Sequence, residues 1–198
     1  MLSNKNNLFL SKITESINDL DEYLLDGFEK RVGLNDKTTL NKETKLLFVG
    51  TAVPPDLLYF YANKGNSIYK WIDDVRSTHL DALKTRISMA SDQAKKLAYV
   101  NEIIDILLEE KIAFLDVANA FITKNGSRRD CDIVKFYFDK EDFKSIYDNS
   151  DLKIVALTTN AKNVLENYLG LSNILCVPIF ENYSNKKEPI IDALMKTR

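Results

Sequence analysis

Histidine occurs once in the 198 residues, at His79, and cysteine twice, at Cys131 and Cys176. One histidine leaves a Ser-His triad or a histidine metal site almost no material, and the two cysteines match no metal-ligand spacing. Cys176 lies in an apolar run and reads as core. Cys131 comes soon after Arg128 and Arg129, a setting in which a reactive thiol is conceivable. There is neither an Asp-rich metal cluster nor a Gly-rich phosphate loop. No apolar run nears the roughly 18 residues that span a bilayer, and the amino terminus lacks the long apolar region of a signal peptide. A cytoplasmic protein with no membrane contact is expected. An excess of positive charge is missing too: 27 basic against 29 acidic residues give 27 − 29 = −2. That argues against broad coating of nucleic acid but not against contact with a few phosphates.

What is present is ordinary for a globular chain, with 45% apolar and 28% charged residues. Four short apolar runs read as strands, over residues 45–50, 111–117, 151–157 and 174–178. Helical spacing separates them: residues 66–76 with Ile68, Trp71, Ile72 and Val75 on one face, one or two long helices over 78–110, a short one over 140–148, and one over 160–169. Asn160 reads as the N-cap of that last helix and Gly170 as its stop. A closing helix is expected over 188–198. The spacing of Leu8, Leu10, Ile13, Ile17, Leu20, Leu24 and Leu25 predicts an amphipathic helix over 5–30, breaking near Asp26-Gly27. Residues 31–44 read as a polar surface connection, and 119–132 as a loop. Strands alternating with helices give a three-layer α/β/α architecture around a central four-stranded parallel sheet. We expect one domain over 1–198, with 1–44 a helical extension packed on it.

The richest stretch runs from Lys45 to Trp71. Leu46 to Val49 form a strand buried on both faces, Gly50 permits a sharp turn, and Pro54-Pro55 forbid an immediate helix. A loop of about 15 residues comes next, before helical spacing resumes near Asn66, and loops that long are usually functional. It leaves the carboxyl end of the first strand, where open α/β sheets place ligands.

This stretch resembles the uracil-DNA glycosylase superfamily, nearest its mismatch-specific and hypoxanthine-type branches. Those enzymes carry an apolar strand, a Gly-x-x-Pro-Gly turn, then an aromatic-aromatic-Ala-His-Pro-x-Asn segment before Phe-Trp. Gly50-Thr51-Ala52-Val53-Pro54 and Phe60-Tyr61-Ala62-Asn63-Lys64-Gly65-Asn66 keep that order, with Asn63-Lys64 in place of His-Pro and Ile68-Tyr69 in place of Phe-Trp. Further on, Asp116-Val117-Ala118 and then Gly126-Ser127-Arg128-Arg129-Asp130-Cys131-Asp132-Ile133 match an Asp-Val-Leu strand end and a Gly-Ser-x-Asp-x-x-Ile loop. Two later motifs are altered. The third strand ends Ala156-Leu157-Thr158 rather than Phe-Asn-Gly, and the small hydroxyl-rich loop after the fourth strand has become Pro178-Ile-Phe-Glu-Asn-Tyr-Ser184-Asn185.

The resemblance implies a monofunctional DNA glycosylase that takes a deaminated or mismatched base (uracil or hypoxanthine type) out of the duplex and hydrolyses its N-glycosidic bond in base excision repair. It implies no cofactor and no metal, with DNA as partner and a monomer as the working form. It also implies roles for individual residues. Asn66 aligns with the position that looks catalytic, where an amide can orient water, or it caps the next helix. Asp116 is a carboxylate able to stabilise a cationic sugar, or a cap for its own loop. Gly50, Thr51, Ala52, Val53 and Pro54 face the base edge. Tyr61 stacks the flipped base, or packs the loop on the sheet. Arg128, Arg129, Ser184 and Asn185 are the candidates for phosphates. The alternative function on the same fold is a non-catalytic module that binds a nucleotide, nucleic acid or protein.

Overall fold

The computed structural model describes residues 9–52, 58–62, 66–124, 132–143, 146, 149–179 and 185–198. Eight strands are described: β1 (Ile13–Thr14), β2 (Phe28–Val32), β3 (Leu46–Gly50), β4 (Ile112–Asp116), β5 (Ala120–Lys124), β6 (Ile133–Tyr137), β7 (Lys153–Ala156) and β8 (Leu175–Cys176). Five α-helices lie wholly within the described residues: α1 (Ile68–Arg76), α2 (Leu80–Met89), α3 (Gln93–Glu109), α4 (Thr159–Asn167) and α5 (Lys187–Lys196).

Strands β4, β3, β7 and β8 lie in that order in a four-stranded sheet with every pairing parallel. These are the four apolar runs of the sequence. β3 and β4 are buried at all five positions each, as parallel strands covered on both faces must be. Leu46, Phe48, Ile112 and Phe114 point to one face, where α1, α2, α3 and α5 bring Ile68, Tyr69, Ile72, Leu83, Ile103, Leu107 and Ile190. Leu47, Val49, Ala113 and Leu115 point to the other, against Ala161, Val164 and Leu165 of α4. The fold is therefore α/β, a parallel four-stranded sheet flanked by helices. Its strand order has the first strand inside and the chain stepping outward on both sides. In such sheets the ligand crevice opens where the order reverses, here between the carboxyl ends of β3 and β7.

A second sheet departs from expectation. β1, β6, β5 and β2 form it, with antiparallel pairs β2–β5 and β5–β6 and the short parallel pair β1–β6. It leans on the same face of the parallel sheet as α4, through Phe9, Phe121, Ile133 and Phe136. Two readings are corrected by it. The helix over 5–30 is, across its described part, helical only at Phe9–Leu10 and then a two-residue strand, a 3-10 helix (Asn18–Tyr23) and β2. Its apolar spacing is used otherwise: Leu20 covers Ala120 and Ile122 of β5, and Phe28 joins that same small cluster. Gly27, at φ 81°, makes the turn into β2, which is the expected break at Asp26-Gly27. The loop over 119–132 contains β5, whose alternate residues face Leu20 or the main core. Of the 140–148 helix, the described residues show a 3-10 turn (Glu141–Phe143) and a helical Ile146.

Candidate active site at the carboxyl ends of β3, β4 and β7

Gly50 and Asp116 are partners on the last rung of the β3–β4 ladder. Both continue the face that carries Phe48 and Phe114, so the Asp116 carboxylate sits where a side chain on Gly50 would also project. A methyl group built on Gly50 would collide with Asp116 Oδ1 and with Tyr61 Oη. Both oxygens occupy the space that a Gly50 side chain would enter. The absence of a side chain at position 50 is what lets them meet there.

Asp116 is buried, 1% exposed, and its backbone is clamped by a residue from the amino-terminal segment. Asn35 Nδ2 donates to the Asp116 carbonyl at 2.8 Å, and the Asp116 N–H donates to Asn35 Oδ1 at 2.9 Å. Asn35 Nδ2 also donates to Asp142 Oδ2 at 3.1 Å, and the Asn119 amide donates to the same oxygen. The Thr38 and Thr39 hydroxyls donate to the Phe114 and Ile112 carbonyls at 2.7 and 2.8 Å. Residues 35–39 thus serve the open edge of β4 at alternate positions, as a further strand would.

After Gly50 the chain stays bound: Val117 and Ala118 N–H donate to the Gly50 and Thr51 carbonyls at 3.0 and 2.8 Å. The Thr51 and Thr158 hydroxyls are 2.6 Å apart, bridging the crevice between β3 and β7. Thr158 Oγ1 accepts from the Ala161 N–H at 3.0 Å and so caps α4. The cap is Thr158, two residues before the expected Asn160, because the chain leaves β7 already extended there.

Tyr61 is 7% exposed and has a left-handed backbone, φ 55°. Its ring packs against Phe114 at 5.3 Å between centroids, tilted 42°. Tyr59, Phe60 and Tyr69 complete the aromatic floor around Phe114, and the Tyr69 hydroxyl donates to the Phe60 carbonyl at 2.6 Å. Asn66 stands two residues before α1, and its Oδ1 accepts from the Ile68 N–H at 2.8 Å. Its carbonyl accepts from the buried Lys84 ammonium at 2.5 Å, which also pairs with Asp81 at 2.5 Å.

Of the residues singled out in the sequence, Gly50, Thr51, Tyr61 and Asp116 share one corner of the sheet. Ala52 continues the chain from Thr51 and packs toward the opposite core. Asn185 is exposed at the start of α5 and bonded to Glu188. Val53, Pro54, Arg128, Arg129 and Ser184 lie outside the described residues, as does Cys131. Asn35 escapes sequence reading, and Thr158 enters it only as the altered end of the third strand. Each is a small polar residue in a polar stretch, and only its buried partners mark it.

No protein-family model matches the chain, and no curated protein matches it. Among solved structures it is similar to the solution NMR structure of a protein from Methanosarcina acetivorans described as a "putative Uracil DNA glycosylase". The TM-score is 0.57 and the identity 17%, over 85% of this chain and 99% of that one. With so few identical residues the likeness is one of backbone. The chain has a uracil-DNA-glycosylase-like fold.

Proposed function

We propose that this chain is a DNA glycosylase that hydrolyses the N-glycosidic bond of a deaminated or mismatched base, of the uracil or hypoxanthine type. The observation that carries the reading is the convergence of Asp116 and Tyr61 over Gly50, beside the crevice where such folds hold ligands. The glycosidic bond breaks through a positively charged sugar, so positioned charge supplies most of what the reaction needs. The Asp116 carboxylate, dry and fixed, stabilises that cation. Asn66 orients the attacking water. Its Oδ1 already accepts from Ile68, and a carbonyl oxygen has a second lone pair to offer. The turn from Gly50 through Thr51, Ala52, Val53 and Pro54 meets the base edge. Arg128, Arg129, Ser184 and Asn185 take phosphates around the extruded nucleotide.

The test is base release from labelled duplexes carrying uracil, hypoxanthine or xanthine. Wild type should release at least one of them. Asp116→Asn should lower that rate by roughly 10²–10³-fold, the scale of losing one preorganised electrostatic group, and Asn66→Ala should also lower it. No release by wild type from any duplex ends the glycosylase reading. A free base or nucleotide that then raised the melting temperature would identify a non-catalytic binding module.

A further inference from the structure

We propose that Tyr61 acts through its hydroxyl, as a positioning residue for the Asp116 carboxylate, and not as the ring on which a base stacks. This rests on the glycosylase reading and assigns one residue within it. A stacking platform needs an open face about as large as a base, whereas the Tyr61 ring is 7% exposed and laid on Phe114. The Tyr61 hydroxyl, by contrast, reaches the centre of the candidate site. It lies with Asp116 Oδ1 over the α-carbon of Gly50, in the space that the missing side chain leaves.

Backbone geometry points the same way. Tyr61 sits at φ 55°, a region that L-residues with bulky side chains seldom enter and that persists only where the surroundings impose it. In that conformation its ring lies against Phe114 of the sheet. Asn35 holds the Asp116 main chain through two hydrogen bonds, and the Tyr61 hydroxyl reaches the same space over Gly50 as Asp116 Oδ1. A phenolic O–H is a donor and an ionised carboxylate accepts only, so the pairing suits both groups. Fixing the carboxylate before substrate arrives keeps its charge aimed at the sugar without reorganisation during the reaction.

Single-turnover base release separates the two roles. Tyr61→Phe keeps the ring and removes the hydroxyl; Tyr61→Leu removes both. The expected result is that Tyr61→Phe slows release at saturating DNA by about tenfold or more, the worth of a hydrogen bond to a charged group, with half-saturation unchanged. Adding Tyr61→Phe to Asp116→Asn should then cost little further, because both changes break one unit. Full activity in Tyr61→Phe, or losses that simply multiply in the double variant, would overturn the proposal. A second readout does not depend on catalysis. With tyrosine labelled at the ring carbon bearing oxygen, the NMR resonance missing from Tyr61→Phe should move when Asp116 becomes Asn. An unmoved resonance rejects the pairing. If wild type released no base, the glycosylase reading would fail while this resonance still decided the Tyr61–Asp116 contact.

Discussion

At position 50 a hydrogen atom takes the place of a side chain, and the candidate site depends on it. Gly50→Ala puts a methyl group into Tyr61 Oη and Asp116 Oδ1, and neither is the loose end of a flexible chain: Asp116 is clamped at its backbone and Tyr61 is packed on Phe114. Overpacking of this type costs about 1–3 kcal/mol. The variant should lose that much stability in a urea titration, and base release should fall further than the stability does, since the oxygens must part. Retained release with an unchanged midpoint would show that the strand ends yield more readily than their packing implies. A glycine ending an apolar strand was legible as a turn. That it also leaves room for two oxygens was not, because one of them arrives from 66 residues further along the chain, in β4.

Elements, rather than residues, explain how the amino-terminal segment serves the site. β4 is an edge strand, and its outward carbonyls at Ile112, Phe114 and Asp116 are taken by Thr39, Thr38 and Asn35. Asn35→Ala removes two bonds to Asp116 and leaves its buried N–H and carbonyl unmatched, a loss of about 2–4 kcal/mol. Denaturant titration should report that loss, while Asn41→Ala, in the same segment but away from Asp116, should cost less. Equal losses from the two would mean that residues 35–39 are no more than a surface strap. The four parallel strands were readable as apolar runs and the helices over 66–76, 160–169 and 188–198 from their spacing, while periodicity leaves open whether 78–110 is one helix or the two that form. The second sheet was not. β2 pairs with β5 across a separation of some 90 residues, and the intervals between apolar residues in 8–25 fit a helix as well as the strand and 3-10 turn actually formed.

Across the whole molecule, stability should turn down at alkaline pH. Burial pushes the Tyr69 hydroxyl well above its ordinary range, and burial likewise raises Tyr59, whose hydroxyl lies beside Thr39. Both groups stay protonated in the folded chain while the unfolded chain releases their protons above about pH 10. Below that pH their contribution is fully present. As pH rises past it the unfolded state binds fewer protons than the folded one, so stability falls, by up to about 1.4 kcal/mol per pH unit for each tyrosine. Urea midpoints from pH 8 to 11 should show the fall, and Tyr69→Phe should make it shallower. At pH 8 the same variant should be less stable by about 1–2 kcal/mol through loss of the bond to the Phe60 carbonyl. A slope that Tyr69→Phe leaves unchanged would exclude that residue as a cause.

The sequence by itself determined the features that local pattern encodes: a parallel sheet from short apolar runs, helices from stripes three and four residues apart, and a turn at Gly50 feeding a long loop. It also placed Asp116 at a strand end. The resemblance had also picked out Tyr61 and Asp116, but tertiary structure alone decided that they meet over Gly50 with Asn35 on the Asp116 backbone. A buried oxygen acquires its partners from strands and segments distant in the chain, and no spacing along that chain encodes that Tyr61, Asp116 and Asn35 converge. The same cause hid the second sheet, whose pairings join residues that the backbone separates and only the packed core brings together.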